Sequence, residues 1–176
     1  SENTNNMINT FGTGVVHSDK VLKELLEELE TLDEPTLVVF FGDHLPYLEN
    51  AYNEAGFVDK DGNYDLEDQL KLKETPIAVW NNYGKDIENI GSISTSFLAS
   101  YIVEWAELKM PSYYSFLQNF RENMPGYTTI VKSDAEGELY SKTPEQMLEL
   151  EQQYRILQYD LLHGNRYLEE LEAKSK

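Results

Sequence analysis

The chain has 176 residues, 40% of them hydrophobic, including 12 Tyr and 7 Phe, which supports one domain with a real core and excludes a disordered chain. Its 14 Lys and Arg stand against 32 Asp and Glu, a net charge of -18, which excludes the basic footprint that nucleic acid needs and unaided docking on an anionic membrane. The lack of Cys excludes disulfides, thiolate zinc sites and Cys nucleophiles, and no apolar run reaches the length of a membrane span or reads as a signal peptide.

Residues 1–14 are polar and rich in Asn, Thr and Gly, and are expected to form a flexible N-terminal segment. The chain opens on Ser1 and not on Met, so further polypeptide is expected upstream. A helix is expected over residues 18–32, where Val21, Leu22, Leu25, Leu26 and Leu29 fall on one face and Lys and Glu fill the others. Ser18 or Asp19 can cap its start, and Asp33-Glu34-Pro35 breaks it.

Thr36-Leu37-Val38-Val39-Phe40-Phe41 is short, continuous, β-branched and aromatic. It reads as a strand buried on both faces, the kind found in parallel sheets of α/β proteins. Residues 42–74 are mostly loop, with a short helix over 66–73. A second buried strand is expected at Pro76-Ile77-Ala78-Val79-Trp80. A helix over 94–108 follows, with Phe97, Leu98, Tyr101, Ile102 and Trp105 on one face, and Pro111 opens another. Residues 127–132 and 138–140 read as a hairpin across 134–137. Thr143-Pro144-Glu145-Gln146 then offers a capping Thr with Pro at the first helical position. It opens a long helix with Met147, Leu150, Tyr154, Leu157 and Leu161 on one stripe, ending near Gly164.

Chemistry concentrates at Gly42-Asp43-His44-Leu45-Pro46, directly after the most buried-looking strand. In open α/β sheets, ligands sit beyond the carboxyl ends of strands. Gly42 permits a sharp turn and Pro46 stiffens the exit. Asp43 offers a hard oxygen and His44 a borderline nitrogen, a pair suited to Mn²⁺ or Zn²⁺. A capped strand-to-loop turn with an exposed His fits the same letters. A cation here would also reconcile an acidic chain with a phosphate-ester substrate.

Three other features invite a functional reading. The run from Asp59 to Asp65 resembles a calcium loop, but counting from Asp59 the sixth and twelfth positions hold Tyr64 and Leu70 where an EF-hand wants Gly and Glu. A solvated acidic turn fits better. His17 and His163 lack neighbours at ligand spacing and read as surface or capping residues. Tyr113, Tyr114, Phe116 and Phe120 read either as core or as the lining of a lipid or glycan groove, core being the commoner fate.

Val38-Val39-Phe40-Phe41-Gly42-Asp43-His44-Leu45-Pro46 resembles the GDH segment of the alkaline-phosphatase superfamily, in its sulfatase and lipoteichoic acid synthase branch. Around it, the helix with Ser18-Asp19 and Leu22 is similar to one of the branch. Thr75-Pro76-Ile77-Ala78-Val79-Trp80-Asn81-Asn82-Tyr83 looks like its "TP..iw.NY" strand, and Ile93-Ser94 to Leu98 like its next helix start. Leu157-Gln158-Tyr159-Asp160 with Gly164 and Tyr167 resembles the "lQYD...G..Y" ending common in Firmicutes members. The matches keep the family's order from about residue 15 to 167.

The resemblance implies a three-layer α/β/α, sulfatase-like (alkaline-phosphatase-like) fragment with a C-terminal hairpin and long helix. Residues 15–126 would form the C-terminal part of the α/β domain and 127–176 an extension. Asp43 and His44 become metal ligands, with Mn²⁺ the expected ion and Mg²⁺ or Zn²⁺ its rivals. The nucleophile and an acidic ligand are expected upstream, since no segment here matches either, so the chain by itself is expected to bind metal weakly and turn nothing over. Members of the branch transfer glycerol phosphate from phosphatidylglycerol to an envelope polymer; relatives move phosphoethanolamine or cleave sulfate esters. The expected parent is membrane-anchored with this part outside a Gram-positive cell. Its expected partners are the upstream half of the polypeptide and an anionic lipid or glycan substrate, with self-association through an exposed sheet edge. The competing expectation is a non-catalytic acidic module that binds protein or glycan.

Overall fold

A computed structural model of the chain describes residues 2–48, 51–57 and 63–174. It is mixed α/β and divides into two compact units, residues 1–88 and 89–176.

The first unit opens with helix α1 (Glu2–Leu29), which begins well before the expected start at Ser18. Asn, Thr and Gly weigh against helix here, but Thr10 and Thr13 donate their hydroxyls to the carbonyls of Asn6 and Asn9, 2.8 and 2.9 Å away. Back-bonding of this kind satisfies short polar side chains inside a helix. Met7, Phe11 and Val15 extend the apolar rows upstream at four-residue spacing. Strand β1 (Leu37–Phe41) follows, then the short helices α2 (Ala51–Glu54) and α3 (Leu66–Lys71), and strand β2 (Ile77–Asn81). Asp65 caps α3 by accepting the Asp68 N–H at 2.8 Å. The calcium-loop reading otherwise falls mostly on residues 58–62, outside the described residues.

β1 and β2 pair antiparallel, with Leu37 opposite Asn81 and Phe41 opposite Ile77. The expectation of parallel strands is thus corrected. A continuous apolar run reports burial but not direction, and the two short helices between the strands let the chain return as a wide hairpin without a crossover helix. Nor is β1 fully buried on both faces: Phe40 and Phe41 are 43% and 44% exposed.

In the second unit a 3₁₀ turn (Thr95–Phe97) leads into α4 (Leu98–Trp105), followed by α5 (Ser112–Asn123). Strands β3 (Gly126–Tyr127), β4 (Lys132–Ser133) and β5 (Leu139–Tyr140) form an antiparallel meander. The expected hairpin is its β4–β5 half. The extra strand arises because Thr128 accepts the Val131 N–H and donates to the Val131 carbonyl, folding 128–131 into a turn. Helix α6 (Leu148–Leu162) and helix α7 (Tyr167–Lys174) close the chain. Phe97, Leu117, Phe120, Met124 and Tyr154 make the core, with Tyr101, Tyr113, Tyr114, Phe116, Tyr127, Met147 and Leu150 packed around it. The aromatic set around Phe120 is therefore core and not a ligand groove.

Polar groups are also built into this unit. Arg121 is buried, its guanidinium stacked 3.4 Å over the Tyr101 ring and bonded to Ser100 and Glu104. The buried Glu151 accepts bonds from the Tyr127 hydroxyl and the Arg155 guanidinium, both at 2.7 Å. Thr143 does not cap the long helix as expected; no side chain caps that start, and the Thr143 hydroxyl turns to Glu151 instead. Burial pushes the Glu151 carboxyl up, but the bonds from Thr143, Tyr127 and Arg155 outweigh it and hold the pKa at about 2.

Candidate functional site

The Gly42 to Pro46 turn leaves the carboxyl end of β1 and is fastened to the start of β2. The Gly42 N–H donates to the Pro76 carbonyl at 3.1 Å, and the Thr75 hydroxyl donates to the Gly42 carbonyl at 2.7 Å. A side chain at position 42 would place its Cβ 3.0 Å from the Thr75 Cβ, so close approach explains the glycine. At the other end the Tyr52 hydroxyl donates to the Pro46 carbonyl at 2.6 Å.

Between these ends the Asp43 and His44 side chains are 85% and 78% exposed. The His44 N–H donates to Asp43 Oδ1 at 2.9 Å, and His44 Nδ1 lies 2.9 Å from the Leu45 carbonyl. A carbonyl can only accept, so Nδ1 carries the ring proton in the neutral imidazole and Nε2 keeps its lone pair. Nε2 lies 3.6 Å from Asp43 Oδ2. Two donors on one tetrahedral ion, each about 2.1 Å from it, sit about 3.4 Å apart. The pair therefore fits a shared cation in donor type, tautomer and spacing. Among the described residues no group of three or more His, Cys, Asp or Glu side chains is placed to hold a metal. His17 lies on the exposed α1 surface. His163 ends α6, its N–H bonded to the Tyr159 carbonyl.

The remaining motif letters do structural work. Asn82 accepts the Thr36 N–H at 2.7 Å and donates to the Leu32 and Glu34 carbonyls at 3.1 and 3.0 Å. One amide thus fixes the passage from α1 into β1. The Ser94 hydroxyl exchanges bonds with the Tyr127 N–H and carbonyl. Asp160 accepts the Leu168 N–H, and a Cβ at Gly164 would lie 2.7 Å from the Asp160 Cα, so these two residues form the α6–α7 corner.

The profile of the family described as Sulfatase matches residues 1–108. The chain belongs to the sulfatase family. A protein of Rhizobium meliloti (strain 1021) whose name assigns it to cyclic beta-1,2-glucan modification is 33% identical over 175 residues, covering 94% of this chain and 27% of its own length. This sulfatase-family chain thus spans about a quarter of that relative. The phosphoglycerol transferase GacH of Streptococcus pyogenes, solved in complex with sn-glycerol-1-phosphate, superposes with a TM-score of 0.62 at 22% identity, over 88% of this chain and 35% of that one. That likeness shows an alkaline-phosphatase-like fold. No helix among the described residues is long and apolar enough to cross a membrane.

Proposed function

We propose that this chain supplies Asp43 and His44 to the divalent-cation site of a sulfatase-family phosphotransferase that moves glycerol phosphate onto an envelope glycan or polymer, as a lipoteichoic acid synthase does onto its own polymer. The observation that carries the reading is the 3.6 Å pair of Asp43 Oδ2 and His44 Nε2 on a turn tied at both ends. The names of the two similar proteins support the transferred group and a glycan acceptor. Mn²⁺ fits one carboxylate oxygen and one imidazole nitrogen, with Mg²⁺ and Zn²⁺ as rivals. When bound, the cation neutralises charge on the phosphoryl oxygens and favours the ionised nucleophile. Asp43 contributes one anionic oxygen, and His44 donates through Nε2 because Nδ1 is occupied by the Leu45 carbonyl.

Two ligands from one exposed turn hold a hydrated cation weakly. The reading therefore assigns further ligands and the nucleophile to the rest of a longer, membrane-anchored polypeptide whose catalytic part lies outside the cell. It makes residues 1–176 inactive by themselves, with the exposed edges of β1 and β2 covered by the rest of that polypeptide or by a second copy.

The test is transfer of radiolabelled phosphoglycerol from phosphatidylglycerol by the whole protein, with a β-glucan and a polyglycerol phosphate as alternative acceptors. The Asp43→Ala and His44→Ala variants are expected to lose transfer by at least about 100-fold. Unchanged transfer in both variants would point instead to a non-catalytic acidic module.

A further inference from the structure

Asp43 and His44 are so exposed that packing cannot orient them. Their direction is set by the backbone of residues 42–46, and that backbone is held by side chains from elsewhere. Thr75 precedes β2 and faces Gly42. Its hydroxyl takes the Gly42 carbonyl at 2.7 Å, and Gly42 lacks a Cβ where Thr75 packs. Three residues past Asp43, the Pro46 carbonyl accepts the Tyr52 hydroxyl at 2.6 Å, and the Tyr52 ring meets Phe57 edge-on at 5.9 Å. The Gly42 N–H also donates to the Pro76 carbonyl at 3.1 Å, and the other contacts of the turn are local, from the His44 N–H to Asp43 and from His44 Nδ1 to Leu45.

We propose that Thr75 and Tyr52 are positioning residues for the cation pair, each fastening one end of the turn so that Asp43 Oδ2 and His44 Nε2 stay within reach of one ion. The inference rests on the metal reading above. Neither hydroxyl touches the ion; both act by cutting the freedom that binding must otherwise remove. Outer groups of this kind are typically worth 10-fold to 100-fold in metal affinity. The turn is pinned to the β1–β2 ladder at one end only, so the two tethers are not redundant.

The experiment measures Mn²⁺ affinity by the electron paramagnetic resonance of free Mn²⁺, in the whole protein that carries this chain, beside its thermal midpoint. Thr75→Val removes the hydroxyl but keeps the branched shape; Thr75→Ser restores the hydroxyl. Thr75→Val and Tyr52→Phe are each expected to weaken Mn²⁺ binding about 10-fold, with Thr75→Ser near the parent value. If Thr75→Val unfolds, Tyr52→Phe carries the test at the opposite end. Parent-like affinity in a folded Thr75→Val or Tyr52→Phe protein overturns the positioning role. So does an affinity loss in Thr75→Ser equal to that in Thr75→Val. A parent protein whose Mn²⁺ binding is untouched by His44→Ala overturns the metal reading itself, and the positioning role with it.

Discussion

Residues 1–88 and 89–176 differ sharply in how they are built. The eight buried apolar side chains among the described residues, from Phe97 to Tyr154, all belong to the second unit. The first unit carries the Asp43 and His44 pair, yet exposes Phe11, Val15, Leu25, Phe40 and Phe41. Order in the second unit comes from close packing, which resists changes of even one methylene. In the first it comes from the β1–β2 ladder and from side-chain bonds to backbone, at Thr75, Tyr52 and Asn82. The contrast teaches that the proposed site and the stabilising core lie in different units: variants at the pair should leave unfolding alone, and variants of the aromatic core should not.

The sharpest break of this contrast is Phe120→Ala. Phe120 is fully buried and its ring meets Phe97, Phe116, Tyr127 and Tyr154 at 5.1 to 6.1 Å. Its truncation should cost about 3–5 kcal/mol in denaturant unfolding.

A pH titration of stability probes the second unit's buried charge. The folded Glu151 carboxyl is held at about 2, below its ordinary value of 4.5. Its contribution is therefore complete above about pH 5 and is lost as pH falls from there towards 2. Glu151→Gln should flatten that acid limb, on the order of 3 kcal/mol at neutral pH for a carboxylate this well buried. An unchanged acid limb would break the account of the Thr143, Tyr127 and Arg155 bonds.

Gly126→Ala should cost about 1–3 kcal/mol, because its Cβ would fall 2.2 Å from Ser133 Oγ and 3.1 Å from the Ser133 nitrogen. In the first unit, Asn82→Ala should cost about 1–3 kcal/mol by leaving the Thr36 N–H and the Leu32 and Glu34 carbonyls without their partner. At the small end, His44→Ala should move the thermal midpoint by no more than an ordinary surface change, within about 0.5 kcal/mol, while abolishing Mn²⁺ binding. A large loss of stability there would collapse the distinction between the units.

The sequence showed where β1, β2 and most helices lie, because apolar runs and four-residue periodicity are local signals. Direction was not local: nothing in Val38 or Val79 says that β1 and β2 run antiparallel. The helix before Ser18 was hidden because Asn and Thr count against helix until their back-bonds are known. At the site, the Gly-Asp-His letters marked the pair, and the family's motif contained Thr75 and Asn82 as letters without roles. Their roles lie in bonds to backbone 33 and 46 residues away, a separation that leaves no periodic trace. Thr143 misled for the opposite reason: its position was right for a cap, but the carboxylate of Glu151 outcompeted the helix end.

The Asn82 amide has a consequence for the order of events as the chain emerges from a ribosome or a translocation channel. The end of α1, the 30s linker and the first residue before β1 are joined by a residue that appears some fifty positions later. Thr75, which secures the Gly42 carbonyl, arrives only shortly before it. Until Thr75 is out, the Gly42 carbonyl lacks the hydroxyl that holds it. On the metal reading, Asp43 and His44 are therefore set for a cation only once β1 and β2 have paired.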